Sequence, residues 1–139
     1  MTTIYSERWL LYFMDVAERT AQLSYANRLK VGAVAVRDKR IILVGYNGTP
    51  PDQDNVCEQN GKTLPHVLHA EENLILSAMR FGIGLPGCSI FITHSPCINC
   101  ARLIYGSGIS SVYYKTLYHD DTGIRFLSMV NIPTYHICQ

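Results

Sequence analysis

Two short blocks of this sequence carry side chains able to bind a soft metal ion and to move a proton: His69-Ala70-Glu71 and, further along, Pro96-Cys97-Ile98-Asn99-Cys100. Zinc takes imidazole nitrogen and thiolate sulfur, and a catalytic site uses three protein ligands, leaving the fourth position to water. One histidine and two cysteines meet that count. Cys97 and Cys100 are three apart, so on one helical turn both sulfurs point to the same side. The start of a helix also carries partial positive charge, which favours the thiolate. Glu71 stands two residues from His69, close to a metal there yet placed as a non-ligand that can take and return a proton. A purely structural zinc site would need a fourth protein ligand, from Cys57, His66, Cys88 or His94. A redox Cys-x-x-Cys pair would leave His69 and Glu71 without a role.

The elements that must position these blocks can be read from periodicity and punctuation. A helix is expected from about Ser6 to Arg28, with Ser6 as its cap, Glu7 in its first turn and Trp9, Phe13, Val16, Ala17, Thr20 and Leu23 at helical spacing. Val31–Arg37 and Arg40–Tyr46, rich in Val and Ile, read as a hairpin turning at Asp38-Lys39. Asn47 to Pro65 reads as one long polar loop, and loops of that length are commonly functional or mobile. A second helix is expected over His69–Phe81, stopped by Gly82. Ser89–Thr93 reads as a buried strand, Cys97–Tyr105 as a helix and Val112–Tyr114 as a strand. Thr122–Met129 follows as a helix and Thr134–Ile137 as a last strand. Strands alternating with helices imply parallel pairing through crossovers, added to a sheet begun by the hairpin. The expected fold is α/β: a three-layer α/β/α sandwich around a mixed five-stranded sheet.

Composition narrows the class. The 139 residues are 47% hydrophobic and 17% charged, with 12 Lys+Arg against 11 Asp+Glu. That length fits a single domain, 1–139, with a real core. A formal net charge of +1 lacks the basic stripe that sequence-blind nucleic-acid binding needs. No apolar run approaches the ~20 residues of a membrane span, and no export signal precedes Ser6. Five cysteines, an odd number, suit a reducing compartment and a metal site better than a disulfide framework. A cytoplasmic protein without membrane or nucleic-acid partners is expected.

The order His-x-Glu then Pro-Cys-x-x-Cys is the signature of zinc nucleobase deaminases. His69-Ala70-Glu71-Glu72-Asn73, Thr93-His94-Ser95-Pro96-Cys97-x-x-Cys100 and Gly45-Tyr46-Asn47-Gly48-Thr49-Pro50 together resemble the deoxycytidylate (dCMP) deaminases. Those enzymes belong to the zinc-dependent cytidine/deoxycytidylate deaminase family, and the likeness runs from about Trp9 to Tyr118. The narrower assignment rests on the Gly45–Pro50 loop and on Asn55-Val56-Cys57-Glu58. The resemblance implies a cytidine-deaminase-like sandwich, hydrolysis of dCMP to dUMP and ammonia, and a homo-hexamer activated by dCTP and inhibited by dTTP. It implies one Zn2+ per chain on His69, Cys97 and Cys100, with Mg2+ as a companion of a bound triphosphate effector. In that mechanism Glu71 takes the proton of a water activated by the metal, hydroxide attacks C4, and Glu71 protonates N3 and then the leaving amine.

By the same resemblance, Asn47 hydrogen-bonds the sugar, Thr49 lies near sugar or phosphate, and Ala70 belongs to the substrate-binding set. Ser95 contacts base or phosphate, or else caps the helix near Cys97. Tyr118 closes over the nucleotide, or is one more half-buried tyrosine. Arg28, Lys30, Gly48, His66 and Arg80 are the candidates for effector binding, Arg80 also for subunit contact. As bare residues, Asn47-Gly48 reads first as a plain turn, Arg28 and Lys30 as solvated surface charges, and Arg80 as a partner of the helix C-terminal dipole. A second structural zinc, with Cys57 and His66 at hand, is not expected, because no second Cys-x-x-Cys exists. Two rivals stay open. One is deamination of another base, such as cytidine, guanine or transfer-RNA adenosine. Cytidine deaminases usually place Cys where His69 stands, and the transfer-RNA enzymes need a basic surface. The other is a non-catalytic nucleotide-binding module stabilised by zinc, for which Glu71 would have no use.

Overall fold

The structure, a computed structural model, describes residues 4–138. In chain order the elements are α1 (Glu7–Ala21), β1 (Gly32–Arg37), β2 (Arg40–Tyr46), β3 (Glu58–Gln59), β4 (Lys62–Thr63), α2 (Ala70–Phe81), β5 (Ser89–His94), α3 (Ile98–Ser107), β6 (Ser111–Thr116), α4 (Thr122–Met129) and β7 (Thr134–His136). The main sheet has five strands in the order β2-β1-β5-β6-β7. β1 runs antiparallel to both β2 and β5, whereas β5, β6 and β7 are mutually parallel. The expected mixed sheet between helical layers is therefore the one that forms.

Both faces of the sheet are covered, which is why its central strands read as unbroken apolar runs. Ala33 and Ala35 of β1, Ile90 and Ile92 of β5 and Val112 of β6 face one core. There they meet Leu74, Ile75 and Ala78 of α2, Ala101 and Ile104 of α3 and Leu127 of α4. The alternate residues Val34, Val36, Phe91 and Tyr113 face Phe13, Met14 and Ala17 of α1. The period-two alternation of a strand thus sorts side chains between two helical layers. On the α1 side the Phe91 and Tyr113 rings stack at 4.5 Å. No helix among the described residues is long and apolar enough to cross a membrane.

Three features differ from the expectation. Helix α1 stops at Ala21, not Arg28. Gln22, Leu23 and Ser24 donate to carbonyls three residues back, and the Ser24 hydroxyl binds the Asn47 carbonyl at 2.7 Å. Leu23, in phase with the helix, is consequently 52% exposed beyond its end. Ser6 occupies the cap position of α1, but its hydroxyl makes no capping bond. Within the 47–65 loop, β3 and β4 form a small hairpin. Its turn is Asn60-Gly61, both at positive φ (54° and 73°), the pair that tight hairpins favour.

Candidate functional site

The two chemical blocks meet at the starts of α2 and α3, beside the C-terminal end of β5. In open α/β sheets ligands gather outside the carboxyl ends of parallel strands. His69 is the N-cap of α2, its backbone N–H donating to Glu72 Oε1 at 3.0 Å. Cys97 is the N-cap of α3, and Cys100 lies one turn further on. The turn before Cys97 is pinned to β6, since Ser95 donates its N–H to the Thr116 carbonyl at 2.9 Å. The residue before His69 is pinned as well: Leu68 and Gly48 exchange two backbone hydrogen bonds of 2.8 and 3.1 Å. Side-chain direction at both ligand blocks is thus set by backbone pairing to the sheet and loop.

The geometry fits tetrahedral zinc. His69 Nδ1 lies 3.6 Å from Cys97 Sγ and 3.4 Å from Cys100 Sγ. A tetrahedral ion with Zn–N of about 2.0 Å and Zn–S of about 2.3 Å separates such donors by roughly 3.6 Å. All three ligand atoms fall within 4.8 Å of one another, and among the described residues no further His, Cys, Asp or Glu joins the group. Cys57, His66, Cys88 and His94 are therefore not fourth ligands, and the set is that of an open site.

These groups share protons unevenly. The Cys97 thiol is drawn down to about 4 by a hydrogen bond from Cys100, helped by His69. Cys100 is pushed up as that donor and by burial. His69 is raised to about 9 by its hydrogen bond to Cys97. Glu71 is 4% exposed, and burial lifts its carboxyl to about 7, opposed by hydrogen bonds and by His69. A carboxyl near neutrality can both accept and return a proton.

A cleft of about 310 Å³ opens over the ligands, and its walls include His69, Ala70, Glu71, Ser95, Cys97, Asn47, Arg28 and Tyr118. Thr49, Gly48, Lys30, His66 and Arg80 are not among its lining residues. Arg80 instead sits at the far end of α2, its guanidinium 6.0 Å from the Phe81 ring. Asn47-Gly48 is not a left-handed turn, since neither residue has positive φ. The Asn47 amide braces the entry to β1, accepting from Val31 N–H at 2.8 Å and donating to the Leu29 carbonyl at 2.7 Å. Ser95 does not cap α3. Its buried hydroxyl accepts the Tyr118 N–H at 2.6 Å and so ties the Tyr118 segment to the ligand turn.

The cleft also contains Glu58, Thr63 and His119, which have no binding role in the sequence analysis, and His94, which appears there only as a candidate fourth metal ligand. Glu58 Oε2 accepts the backbone N–H groups of Asn27 and Arg28 at 2.9 and 3.1 Å, and the Arg28 guanidinium donates to Thr63 Oγ1 at 3.1 Å. The β3–β4 hairpin is thereby fastened along one wall. The Asn60-Gly61 turn was the one local signal that could have revealed it.

Fold and site together define an α/β sandwich with a three-donor group fit to hold a metal ion and a buried carboxylate in the wall of the same cleft. Residues 7–116 match the family model described as the cytidine and deoxycytidylate deaminase zinc-binding region, and the chain belongs to that family. It is similar to the dCMP deaminase of the cyanophage S-TIM5, whose crystal structure contains dCMP and dUMP. The two share 34% identity over 96% of this chain and 99% of that one, with a TM-score of 0.93. It is 36% identical to the deoxycytidylate deaminase of Mycobacterium phage D29 over 76% of this chain and 93% of that protein. It is 40% identical to ComE operon protein 2 of Bacillus subtilis over 79% of this chain, a match spanning 60% of that longer protein.

Proposed function

We propose that this protein catalyses the hydrolytic deamination of dCMP to dUMP and ammonia. The observation that carries the reading is the His69, Cys97 and Cys100 donor set at zinc spacing, with the buried Glu71 beside it in the same cleft. Zn2+, which His69, Cys97 and Cys100 would hold, would supply Lewis-acid activation of water near neutral pH. Glu71 accepts one proton from the attacking water and delivers it to N3 as the water oxygen adds to C4. It then passes the second proton to the exocyclic amine. The C4–N bond breaks, ammonia leaves, and C4 keeps the oxygen as a carbonyl.

Among the cleft residues Arg28 is the one Lys or Arg, a single cation suited to a monophosphate. Tyr118 and Ser95 border the same space. Asn47 reaches the sugar only with the hydrogen-bonding capacity left after it braces residues 29–31. The relative solved with dCMP and dUMP supports the choice of substrate. Intracellular location, a homo-hexamer, activation by dCTP, inhibition by dTTP and Mg2+ with the triphosphate complete the proposal and rest on the family resemblance. The effector candidates Gly48, Lys30, His66 and Arg80 lie outside the cleft lining and remain part of it.

The test offers dCMP, CMP, deoxycytidine and dCTP side by side to the zinc-loaded protein, following ammonia release and loss of cytosine absorbance. The reading expects strong preference for dCMP. It also expects Glu71→Gln to keep zinc and fold while losing roughly 10²–10⁴-fold or more in kcat. Turnover of none of the four, at one zinc per chain, would overturn it.

A further inference from the structure

His94, at the end of β5, is half-buried in the cleft wall and is not one of the metal donors. Its Nδ1 lies 2.9 Å from the hydroxyl of Thr93. That hydroxyl is buried, and it already accepts the backbone N–H of Gly32 at 3.1 Å. A threonine hydroxyl has one proton to donate, and a buried one is normally spent on an acceptor. Among the described residues its partners are the Gly32 N–H, which can only donate, and His94 Nδ1. The Thr93 proton therefore goes to Nδ1. Nδ1 is then the unprotonated nitrogen, and Nε2 carries the ring hydrogen.

That chain, from Gly32 N–H to Thr93 Oγ–H to His94 Nδ1, starts on β1 and ends in the cleft. It fixes which edge of the imidazole donates. Nε2 has no hydrogen-bond partner among the described residues, so its hydrogen is available to whatever enters. Burial also disfavours a second proton on the ring, holding it below the usual histidine range. We infer that His94 is a substrate-contacting residue, a neutral Nε2–H donor held in that tautomer by Thr93, which gives one hydrogen bond to an acceptor oxygen of the bound nucleotide. The inference rests on the reading of the cleft as a nucleotide deaminase site. A histidine serving only to pack the end of β5 would leave Nε2 to solvent and would not distinguish substrate affinity from turnover.

The experiment has two parts, made on the zinc-loaded protein at matched zinc content. In the first, long-range 1H–15N spectra of the ring at pH 7 report which nitrogen is protonated. The expected result is hydrogen on Nε2 and a bare Nδ1. In the second, KM and kcat for dCMP and deoxycytidine are compared in His94→Phe, His94→Gln, Thr93→Val and Thr93→Ser. Loss of one neutral hydrogen bond predicts a rise in KM of about three- to tenfold for His94→Phe, with kcat nearly unchanged. His94→Gln, which retains a donor, recovers part of it. Thr93→Val raises KM less, and Thr93→Ser restores it. A penalty confined to dCMP puts the acceptor on the phosphate, and one shared with deoxycytidine puts it on base or sugar. Hydrogen on Nδ1, an imidazolium at pH 7, or a His94→Phe enzyme with unchanged KM for both substrates overturns the inference. Absence of turnover in the unsubstituted protein overturns the deaminase reading instead, and the spectra still report the tautomer.

Discussion

Gly123 packs its bare α-carbon against the carbonyl oxygen of Pro96, so closely that a β-carbon built there would lie 2.0 Å from that oxygen. The first turn of α4 therefore rests directly on the turn that delivers Cys97. Gly45 makes a matching contact with the other ligand block, where an added β-carbon would fall 2.6 Å from the Ala70 carbonyl oxygen at the start of α2. Backbone, rather than side chain, buttresses both halves of the metal centre.

Gly123→Ala must push Pro96 and Cys97 away from their present positions, because a carbonyl oxygen cannot yield as a flexible side chain does. Overpacking of this kind costs about 1–3 kcal/mol, and here the displacement falls on a ligand. The expected outcome is a lower melting temperature together with at least about tenfold weaker zinc binding, read by thermal denaturation and competition with a chelator. Gly106→Ala is the control: its β-carbon meets nothing within 4 Å, and it sits inside α3. That variant should gain up to about 1 kcal/mol without touching the metal. Equal effects from the two substitutions would show that the Gly123 contact does not support the centre.

The ligand count can be read independently of turnover. Co2+ in place of zinc takes the same donors and reports them in its visible spectrum. Two thiolates and one imidazole in a tetrahedral site predict strong d–d bands with sulfur-to-metal charge transfer. Cys97→Ser should weaken the charge-transfer band and lower affinity. Cys57→Ser and Cys88→Ser should leave the spectrum unchanged, since neither thiol belongs to the donor group. A changed spectrum in either of the latter would mean a fourth protein ligand, and with it a structural rather than an open site.

The donor set was legible in the sequence because its signals are local: residue types at helical spacing next to helix starts. The sheet was legible for a similar reason, as β-branched runs alternated with capped helical segments. What the sequence hid depends on contacts between distant segments. The end of α1 was obscured because Leu23 keeps the helical phase, while the hydrogen bond from Ser24 to Asn47 that draws the chain away spans 23 residues. Gly45 and Gly123 look like ordinary glycines until the elements that press on them are placed. The same holds for Glu58, whose carboxylate accepts two N–H groups some 30 residues earlier. The β1–β2 turn was readable despite poor chemistry: Asp38 and Lys39 both adopt positive φ, 53° and 59°, because the strands on either side pair tightly enough to impose it. The β3–β4 hairpin was different, since its Asn60-Gly61 turn was visible and only the shortness of its strands concealed it.

Arg28 and Glu58 give the substrate reading its sharpest test. The Arg28 guanidinium borders the cleft from an exposed segment, held by Thr63 through its own donor and by Glu58 through its backbone. If it meets the phosphate of dCMP, Arg28→Ala removes one charge-assisted interaction, worth about 1.5–3 kcal/mol, or roughly 10–150-fold in KM. Deoxycytidine, which lacks the phosphate, should be turned over as before. Glu58→Ala should reproduce part of the dCMP defect, because it frees the backbone at Asn27 and Arg28 without removing the cation. Glu58→Gln, which keeps an acceptor oxygen, should be milder. Raising ionic strength should raise KM for dCMP in the unsubstituted enzyme and hardly affect Arg28→Ala, since screening acts on a charge the variant no longer has. Steady-state kinetics with both substrates at two salt concentrations decides the matter. Equal losses for dCMP and deoxycytidine in Arg28→Ala would assign Arg28 to the architecture of the wall, and the phosphate would then have to be met by His94, His119 or backbone N–H groups of the cleft.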